Sequence, residues 1–394
     1  MRIRKLTFRD WLYLSAMIII FPPGVIQAYS DLYSISLWIK CAVAIIFFAY
    51  FLFYKKNNNY INLIVLFYGI QVLSTAINNP EYLIESIREA LCSLAIIFSL
   101  YWMIIERKKI ALADLNILLQ SYIILNFLFL LYNPEFFGKF QSLRLYQNNY
   151  FLGIKNQIAL VLVPMTSFVI VYNFRKKLRK DFWSLIIISI SFITEILIDS
   201  STGIVAMAVM LFLYLFIGEE KKNIIFTQRI IFLFIVFNIA LICLQTILSI
   251  PIIQEFIIGV LHRDVSLSNR TGIWERALLK FKEHPVLGFG RQLNKNMITF
   301  LAINEWDHST TYSAHNVMLQ TLLESGVLGY IPLLSVGRML MKRTSKKESM
   351  FYSIVNIGLA AILTSFLTEA YDLTYFFAIS IFLLFGNEKY DTIS

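Results

Sequence analysis

The stretch that decides the fold is AHNVMLQTLLESGVLGYIPLL, residues 314–334, which is mostly apolar after a polar His-Asn start. A helix of this length can cross the hydrocarbon core of a membrane, which takes about 20 residues. Similar apolar runs recur along the chain, so the sequence predicts an all-α polytopic membrane protein. We predict about twelve transmembrane helices, at 11–29, 35–54, 60–77, 88–105, 112–132, 156–174, 182–198, 201–217, 228–247, 314–336, 352–368 and 372–386.

The composition agrees with this class. Of the 394 residues, 58% are hydrophobic and 15% are charged, and the mean hydropathy is +0.67. Soluble domains are roughly 45–50% apolar and about 25% charged. The sequence therefore excludes a soluble globular or disordered chain, and we expect one integral membrane domain over residues 1–394.

The distribution of lysine and arginine predicts the orientation. Most of these 35 residues fall in alternate links between the apolar runs, while the short intervening links carry acids such as Asp31, Glu81 and Glu85. Cytoplasmic loops collect positive charge, so we expect both termini in the cytoplasm and a location in the inner membrane. The net charge of +10 then reflects topology, and no nucleic-acid partner is expected.

Two links on the predicted outer side are long, namely 133–155 and 248–313. Loops of more than about 12–15 residues are usually functional or disordered. All four histidines of the chain lie in the second link or just after it, at positions 262, 284, 308 and 315. Any chemistry is therefore expected on the extracytoplasmic face.

The second long link contains a predicted short amphipathic helix at 273–284. Trp274 begins an apolar stripe at helical spacing, Thr271 can cap the start, and Pro285 and Gly288 end the pattern. Such a helix either lies at the membrane interface or packs as a lid over the bundle.

Arginines on the predicted outer side are candidates for binding phosphate. Arg144, Arg270 and Arg291 lie where the orientation rule does not require cations. A guanidinium group binds phosphate oxygens in a bidentate manner. Contact with anionic lipid headgroups, or an ion pair within the loop, is the alternative for each arginine.

The start of the span at 314–336 carries further candidates. His315 lies at a water–membrane boundary and is suited to general-base catalysis, although a lone histidine is often structural. Asn316 can cap the helix, and Gly326 and Gly329 allow another helix to approach closely. Glu324 lies inside the apolar region, where an acid is a functional candidate by default.

Three motifs in this order resemble the O-antigen ligase and polysaccharide polymerase superfamily of bacterial envelope glycan assembly. They are R-x-x-x-W from Arg270 to Trp274, HPVLGFG from His284 to Gly290 with its Pro285, Gly288 and Gly290, and HN-x9-G-x-x-G from His315 and Asn316 to Gly326 and Gly329. Glu324 lies where the superfamily commonly has an acid.

The resemblance implies a glycosyltransferase that needs neither a metal nor another cofactor. Its substrate would be an undecaprenyl-diphosphate-linked oligosaccharide, with membrane lipids, a flippase and a chain-length regulator as partners. By position, His315 would activate the acceptor hydroxyl, and Arg270 and Arg144 would hold the diphosphate. Arg291 is a further diphosphate candidate, and Glu324 a further catalytic one.

The acceptor separates two activities within this resemblance. A polymerase of O-antigen or capsular repeat units transfers glycan to another lipid-linked unit, whereas an O-antigen ligase transfers it to lipid A core. Many members have a Ser-Arg pair where this chain reads DSSTGI at 199–204. Its absence favours the polymerase. A transporter or flippase of lipid-linked oligosaccharide is the alternative from another class.

Overall fold

A computed structural model describes residues 15–28, 30–53, 58–106, 109–135, 137–142, 145–217, 227–248, 270–291, 301, 313–344, 350–369 and 373–385. The described residues are mainly helical. The start of the predicted span 11–29 and most of the predicted loop 248–313 lie outside them.

Eleven α-helices of the described residues correspond to predicted apolar runs, and the one at Arg270–Glu283 corresponds to the predicted amphipathic helix. They are α1 Ser30–Phe53, α2 Asn59–Asn78, α3 Leu83–Ile105, α4 Lys109–Tyr132, α5 Lys155–Lys177, α6 Phe182–Leu197, α7 Ser201–Phe216, α8 Thr227–Leu248, α9 Arg270–Glu283, α10 Val317–Thr344, α11 Met350–Phe366 and α12 Thr374–Phe385.

The lengths of these helices fit a multi-pass membrane protein. Six of them are long and apolar enough to cross a membrane, and five shorter apolar helices accompany them. In a bilayer, helices satisfy every backbone hydrogen bond internally, which explains why apolar runs of this length fold in this way. The full count of twelve spans and their orientation stay predictions.

Polar residues between the runs fix where helices begin. The side-chain oxygens of Asn58, Asp181 and Ser200 accept hydrogen bonds from backbone N–H groups in the first turns of α2, α6 and α7. These N–H groups have no partner within the helix. The caps therefore fix the residues at which these helices begin.

The centre of the bundle is α11, which packs against α5 and α7, while α1 packs on α3 and α10 on α2. Most of α11 and α12 is buried. The first half of α10 therefore lies between helices rather than at the edge of the bundle, since it also contacts α8 and α9.

The segment 133–155, expected as an outer loop, contains a small antiparallel sheet of β1 Lys139–Ser142, β2 Leu145–Tyr150 and β3 Gly153–Ile154. The sheet is attached to the bundle by non-local contacts. The Leu152 N–H donates to Asn126 Oδ1 (3.0 Å), and the Val25 N–H donates to the Phe151 carbonyl (3.1 Å). Local sequence patterns do not reveal these contacts with the bundle.

Helix α10 is broken at Gly326, whose backbone has φ 58° and ψ −160°. Below the break, the N–H groups of Val327 and Leu328 donate to the carbonyls of Pro285 (2.8 Å) and Val286 (3.1 Å). The segment 284–290, which we call the HPVLGFG segment, thus replaces the hydrogen-bond partners that the helix loses.

The same segment also satisfies the carbonyls above the break. The Phe289 N–H donates to the Leu323 carbonyl (2.6 Å), and the Gly290 N–H donates to the Glu324 carbonyl (3.1 Å). Irregular backbone inside an apolar bundle is tolerated where protein groups satisfy it. The HPVLGFG segment and the broken helix therefore depend on each other.

Three details of the sequence predictions are corrected. The helix predicted from residue 314 begins at Val317 and continues to Thr344, because Asn316 caps it. The helix predicted at 273–284 begins at Arg270, so Thr271 lies inside it rather than before it. At Gly326 the close neighbour is the HPVLGFG segment instead of another helix.

Replacing Gly326 should destabilise the protein. A Cβ at this position would lie 2.3 Å from the Val286 carbonyl oxygen, on a backbone that favours glycine. We expect Gly326→Ala to cost about 1–3 kcal/mol and to lower the midpoint of thermal unfolding in detergent. Gly337→Ala is the control, because no atom lies within 4 Å of its Cβ. Equal midpoints for the two variants would contradict this account.

Candidate functional site

His315 occupies the turn that leads into α10. Its backbone has φ 46°, in the left-handed region that few residues other than glycine adopt. Its N–H donates to Ser313 Oγ (3.3 Å), and its side chain is 25% exposed. Strained backbone of this kind clusters at functional sites, where the surrounding structure maintains it.

The imidazole of His315 is paired with Glu369. His315 Nδ1 lies 3.1 Å from Glu369 Oε2, and the carboxyl group is 13% exposed. Because a carboxylate accepts hydrogen bonds, this contact places a proton on Nδ1 and leaves Nε2 of a neutral ring able to accept another. The pair has the arrangement of a base and its orienting acid.

Asn316 fixes the position of His315 from the next residue. Its Oδ1 accepts from the Leu319 N–H (3.1 Å), as the cap of α10. Its Nδ2 donates to Asn238 Oδ1 on α8 (2.7 Å) and to the Leu367 carbonyl (3.2 Å). Asn316 is fully buried, so these bonds connect three parts of the chain in a low-dielectric environment.

Helix α9 packs against the same turn. Trp274 is buried, and its Nε1–H donates to the Ala314 carbonyl (2.9 Å), directly before His315. Arg270, one turn earlier on the same helix, begins α9. The predicted R-x-x-x-W motif is therefore attached to the His315 turn through its tryptophan.

The DSSTGI segment also reaches this end of the bundle. Thr202 Oγ1 lies 2.9 Å from the Oγ1 of Thr368, the residue before Glu369. Lys155 Nζ lies 3.0 Å from Asp199 Oδ2, and both side chains are largely exposed. A lysine side chain thus lies beside the DSSTGI segment, which lacks the arginine that many members of the superfamily have there.

Glu324 is the centre of a second polar cluster, about two turns further along α10. Its Oε1 accepts from Gln320 Nε2 (2.7 Å) and its Oε2 from Gln71 Nε2 (3.1 Å). Gln320 Oε1 in turn accepts from the Ala314 N–H (2.9 Å). Gln320 therefore connects the Glu324 cluster to the His315 turn.

Arg291 follows the HPVLGFG segment and is held by acids. Its guanidinium Nη1 lies 2.7 Å from Glu89 Oε2, and its Nε lies 3.9 Å from Glu324 Oε2. Its backbone N–H donates to Thr75 Oγ1 (2.9 Å). Two carboxylates beside one guanidinium fix where the HPVLGFG segment ends.

The glycines of the predicted motifs have steric explanations. A Cβ at Gly288 would lie 2.5 Å from the Leu323 carbonyl oxygen, and one at Gly290 would lie 2.5 Å from Thr75 Cα. At Gly329 the corresponding space is filled by Ser325 Oγ, 2.0 Å away. Both Gly288 and Gly290 also have positive φ, which explains why the motif has glycine there.

The structure brings together only some of the predicted site residues. His315, Asn316 and Trp274 meet at the start of α10, while Glu324 and Arg291 meet deeper along it. Arg144 and the side chain of Arg270 lie outside the described residues. The meeting of two arginines with His315 therefore stays a prediction.

Sequence reasoning missed Glu369, Gln71 and Gln320. Each is a polar residue within or directly beside an apolar run. Such residues are costly in a membrane and usually face a partner inside the bundle. That cost was the available signal, but the sequence could not identify the partner.

The fold and site define a helical multi-pass membrane protein with a polar site at the end of the bundle where α10 begins. Residues 185–334 match the profile of the family described as O-antigen ligase. This region, which contains all three predicted motifs, belongs to the O-antigen ligase and polysaccharide polymerase superfamily, and the resemblance is confirmed. No curated protein and no solved structure matches the chain.

Neutralising Glu324 should weaken the cluster that holds the HPVLGFG segment. Glu324→Gln keeps the shape but loses the attraction to Arg291 and one accepting oxygen. We expect a cost of about 1–3 kcal/mol, measured as a lower midpoint of thermal unfolding. Glu283→Gln is the matched control, because Glu283 is half exposed and pairs with Lys280 at the surface. A control as unstable as Glu324→Gln would reject the assignment.

Proposed function

We propose that this protein is a polysaccharide polymerase that joins undecaprenyl-diphosphate-linked oligosaccharide repeat units on the extracytoplasmic face of the cytoplasmic membrane. The observation that carries the proposal is the His315–Glu369 pair, whose histidine lies in a strained turn beside α9 and within the matched region. Transfer of a lipid-linked glycan to a sugar hydroxyl, the reaction implied for this superfamily, requires a base at such a boundary.

In the proposed step, a hydroxyl of the acceptor sugar attacks the anomeric carbon of the donor glycan. His315 Nε2 takes the hydroxyl proton while Glu369 stabilises the resulting imidazolium. The bond between the anomeric carbon and the diphosphate oxygen breaks with inversion. The undecaprenyl diphosphate leaves as an anion and stays in the membrane.

Cations near His315 would neutralise the departing diphosphate. Arg270 starts the helix that Trp274 attaches to the His315 turn, and Arg144 is the second arginine implied by the resemblance. Lys155 supplies a described cation near the DSSTGI segment. Since a diphosphate is already a good leaving group, charge neutralisation, proton removal and alignment are sufficient.

Glu324 and Arg291 support this chemistry differently. Both make contacts with groups on α2, α3 or α10. These contacts support a positioning role, in which they hold the broken helix that follows His315. Direct proton transfer by Glu324 stays a prediction.

A transporter is the alternative from another class, and discontinuous helices with an ionisable residue are typical of transporters. The break in α10 has this appearance. However, the freed backbone groups on both sides of Gly326 bind the HPVLGFG segment. A break that protein fills supports a fixed scaffold rather than a substrate passage.

The acceptor can be identified by reconstitution of the purified protein with synthetic lipid-diphosphate repeat units. Ladders that form without lipid A core would support the polymerase. Product only in the presence of core would replace it with the O-antigen ligase. Movement of substrate across the vesicle membrane without either product would favour the flippase.

Removing the imidazole should abolish polymer formation. We expect His315→Ala to lower the rate at least about 100-fold, because proton transfer by a positioned base contributes 10²–10⁴-fold. Protein yield should be unchanged, since the side chain is partly exposed. The readout is polymer length on a gel, together with the yield of purified protein. Ladders of normal length from this variant would remove His315 from the mechanism.

Neutralising the partner of the imidazole should have a smaller effect. Glu369→Gln keeps the hydrogen bond with Nδ1 in weaker form but loses the charge, so we expect about a 10-fold or greater fall in kcat with little change in KM. Glu81→Gln is the control, on an exposed acid near the same end of the bundle. An equal loss in both variants would contradict a specific role.

A further inference from the structure

A cavity of about 420 Å³ lies at the side of the bundle, between α1, α3, α5, α12 and the segment before α1. Its lining is mainly apolar, with Ile20, Phe21, Leu37, Ile96, Val161 and Met165 among the lining residues. The cavity also has two cations, Lys40 and Arg291. We call it the Lys40 cavity.

Lys40 lies in the middle of the apolar helix α1, nine residues after Asp31. At 1.5 Å per residue, this places it about 14 Å along the helix. Within the described part of the chain, no carboxylate pairs with its ammonium group. A cation inside a membrane helix is costly and usually marks an ion or substrate site.

The lining of the cavity contains other polar groups besides Lys40. Arg291 and its ion-pair partner Glu89 are both in the lining, and Tyr33, two turns before Lys40 on the same face of α1, adds a phenol. Cys92 Sγ contacts the Leu37 carbonyl (3.8 Å), which holds α1 on α3 at this level. Two cations and one acid give this largely apolar lining a net positive charge. Such a lining is complementary to an anionic amphiphile, with its phosphate at the cations and its hydrocarbon along the apolar residues.

The proposed reaction requires such a second site, and this inference rests on the proposed function. In polymerisation, the donor loses its undecaprenyl diphosphate, but the acceptor keeps its own. The diphosphate of the acceptor is therefore one repeat unit away from the bond that forms at His315. The lining of the Lys40 cavity includes neither His315 nor Glu369.

We propose that the Lys40 cavity binds the isoprenoid diphosphate carrier of the acceptor, with the diphosphate on Lys40 and Arg291 and the isoprenoid chain along the apolar wall. The donor carrier then departs from the His315 site, while the acceptor carrier remains bound. Two separate carrier sites allow the donor's undecaprenyl diphosphate to leave while the lengthened glycan stays in the protein on the acceptor's carrier.

The test uses a polyprenyl diphosphate that carries a diazirine in its isoprenoid chain, with the full-length protein in nanodiscs. After illumination, mass spectrometry of peptides should find crosslinks in the segments containing Leu37, Ile96 and Val161. Unlabelled undecaprenyl diphosphate at equal concentration should reduce these crosslinks by about half. Phosphatidylglycerol should need at least a tenfold excess. If phosphatidylglycerol competes equally well, the cavity is a general lipid site and the proposal is wrong.

Variants of Lys40 then test whether its positive charge is needed for binding. Lys40→Met keeps an unbranched side chain of similar length and should reduce crosslinking in the cavity at least fivefold. Lys40→Arg keeps the charge and should stay within about threefold of the unchanged protein. Lys176→Met is the control, on an exposed lysine at the far end of α5. Unchanged crosslinking in Lys40→Met would overturn the proposal.

Crosslinking needs no turnover, so failure of the proposed carrier site can be distinguished from failure of the proposed function. Absence of ladders together with Lys40-dependent crosslinks would reject polymerisation but keep an isoprenoid diphosphate site. Ladders without crosslinks in the cavity would keep the polymerase and reject this site. In an active protein, Lys40→Met should raise the KM for the acceptor lipid at least fivefold, whereas Lys176→Met should leave it unchanged.

Discussion

The structure depends on four backbone hydrogen bonds between the HPVLGFG segment and the two sides of the break at Gly326. A helix inside an apolar bundle cannot leave N–H and carbonyl groups unpaired without a cost of several kcal/mol for each group. The inserted segment removes that cost, and in return α10 fixes the segment. Glycines are required where the two backbones meet, since a Cβ at Gly288 or Gly326 would overlap a carbonyl oxygen.

This arrangement positions the candidate site from two directions. The Glu324 cluster holds the first half of α10. Gln320 connects this cluster by hydrogen bonds to the backbone of Ala314, directly before His315. From the other side, Asn316 connects the start of the helix to α8 and to the turn that carries Glu369. The left-handed conformation of His315 is stable because these neighbours are themselves fixed. The imidazole therefore presents one nitrogen to Glu369 and leaves the other available.

The two polar regions of the bundle differ in how their charges are compensated. Around His315, an imidazole, an acid and hydroxyl groups gather at a partly exposed turn, which suits proton transfer. In the Lys40 cavity, two cations share a largely apolar lining, which suits an anionic lipid. Arg291 is shared between the HPVLGFG segment and that cavity. The segment that fills the broken helix thus also shapes the proposed carrier site.

The sequence by itself determined the class of protein, the approximate bounds of most helices and the family. Apolar runs of membrane length, their caps and three ordered motifs are local properties of the sequence. Such properties can be recognised without knowledge of the fold. Only the tertiary structure decided that Glu369 pairs with His315, that Gln71 and Gln320 bind Glu324, and that the HPVLGFG segment completes α10. These partners are separated by long stretches of chain, and the packing of helices, which no local pattern encodes, sets which polar groups meet.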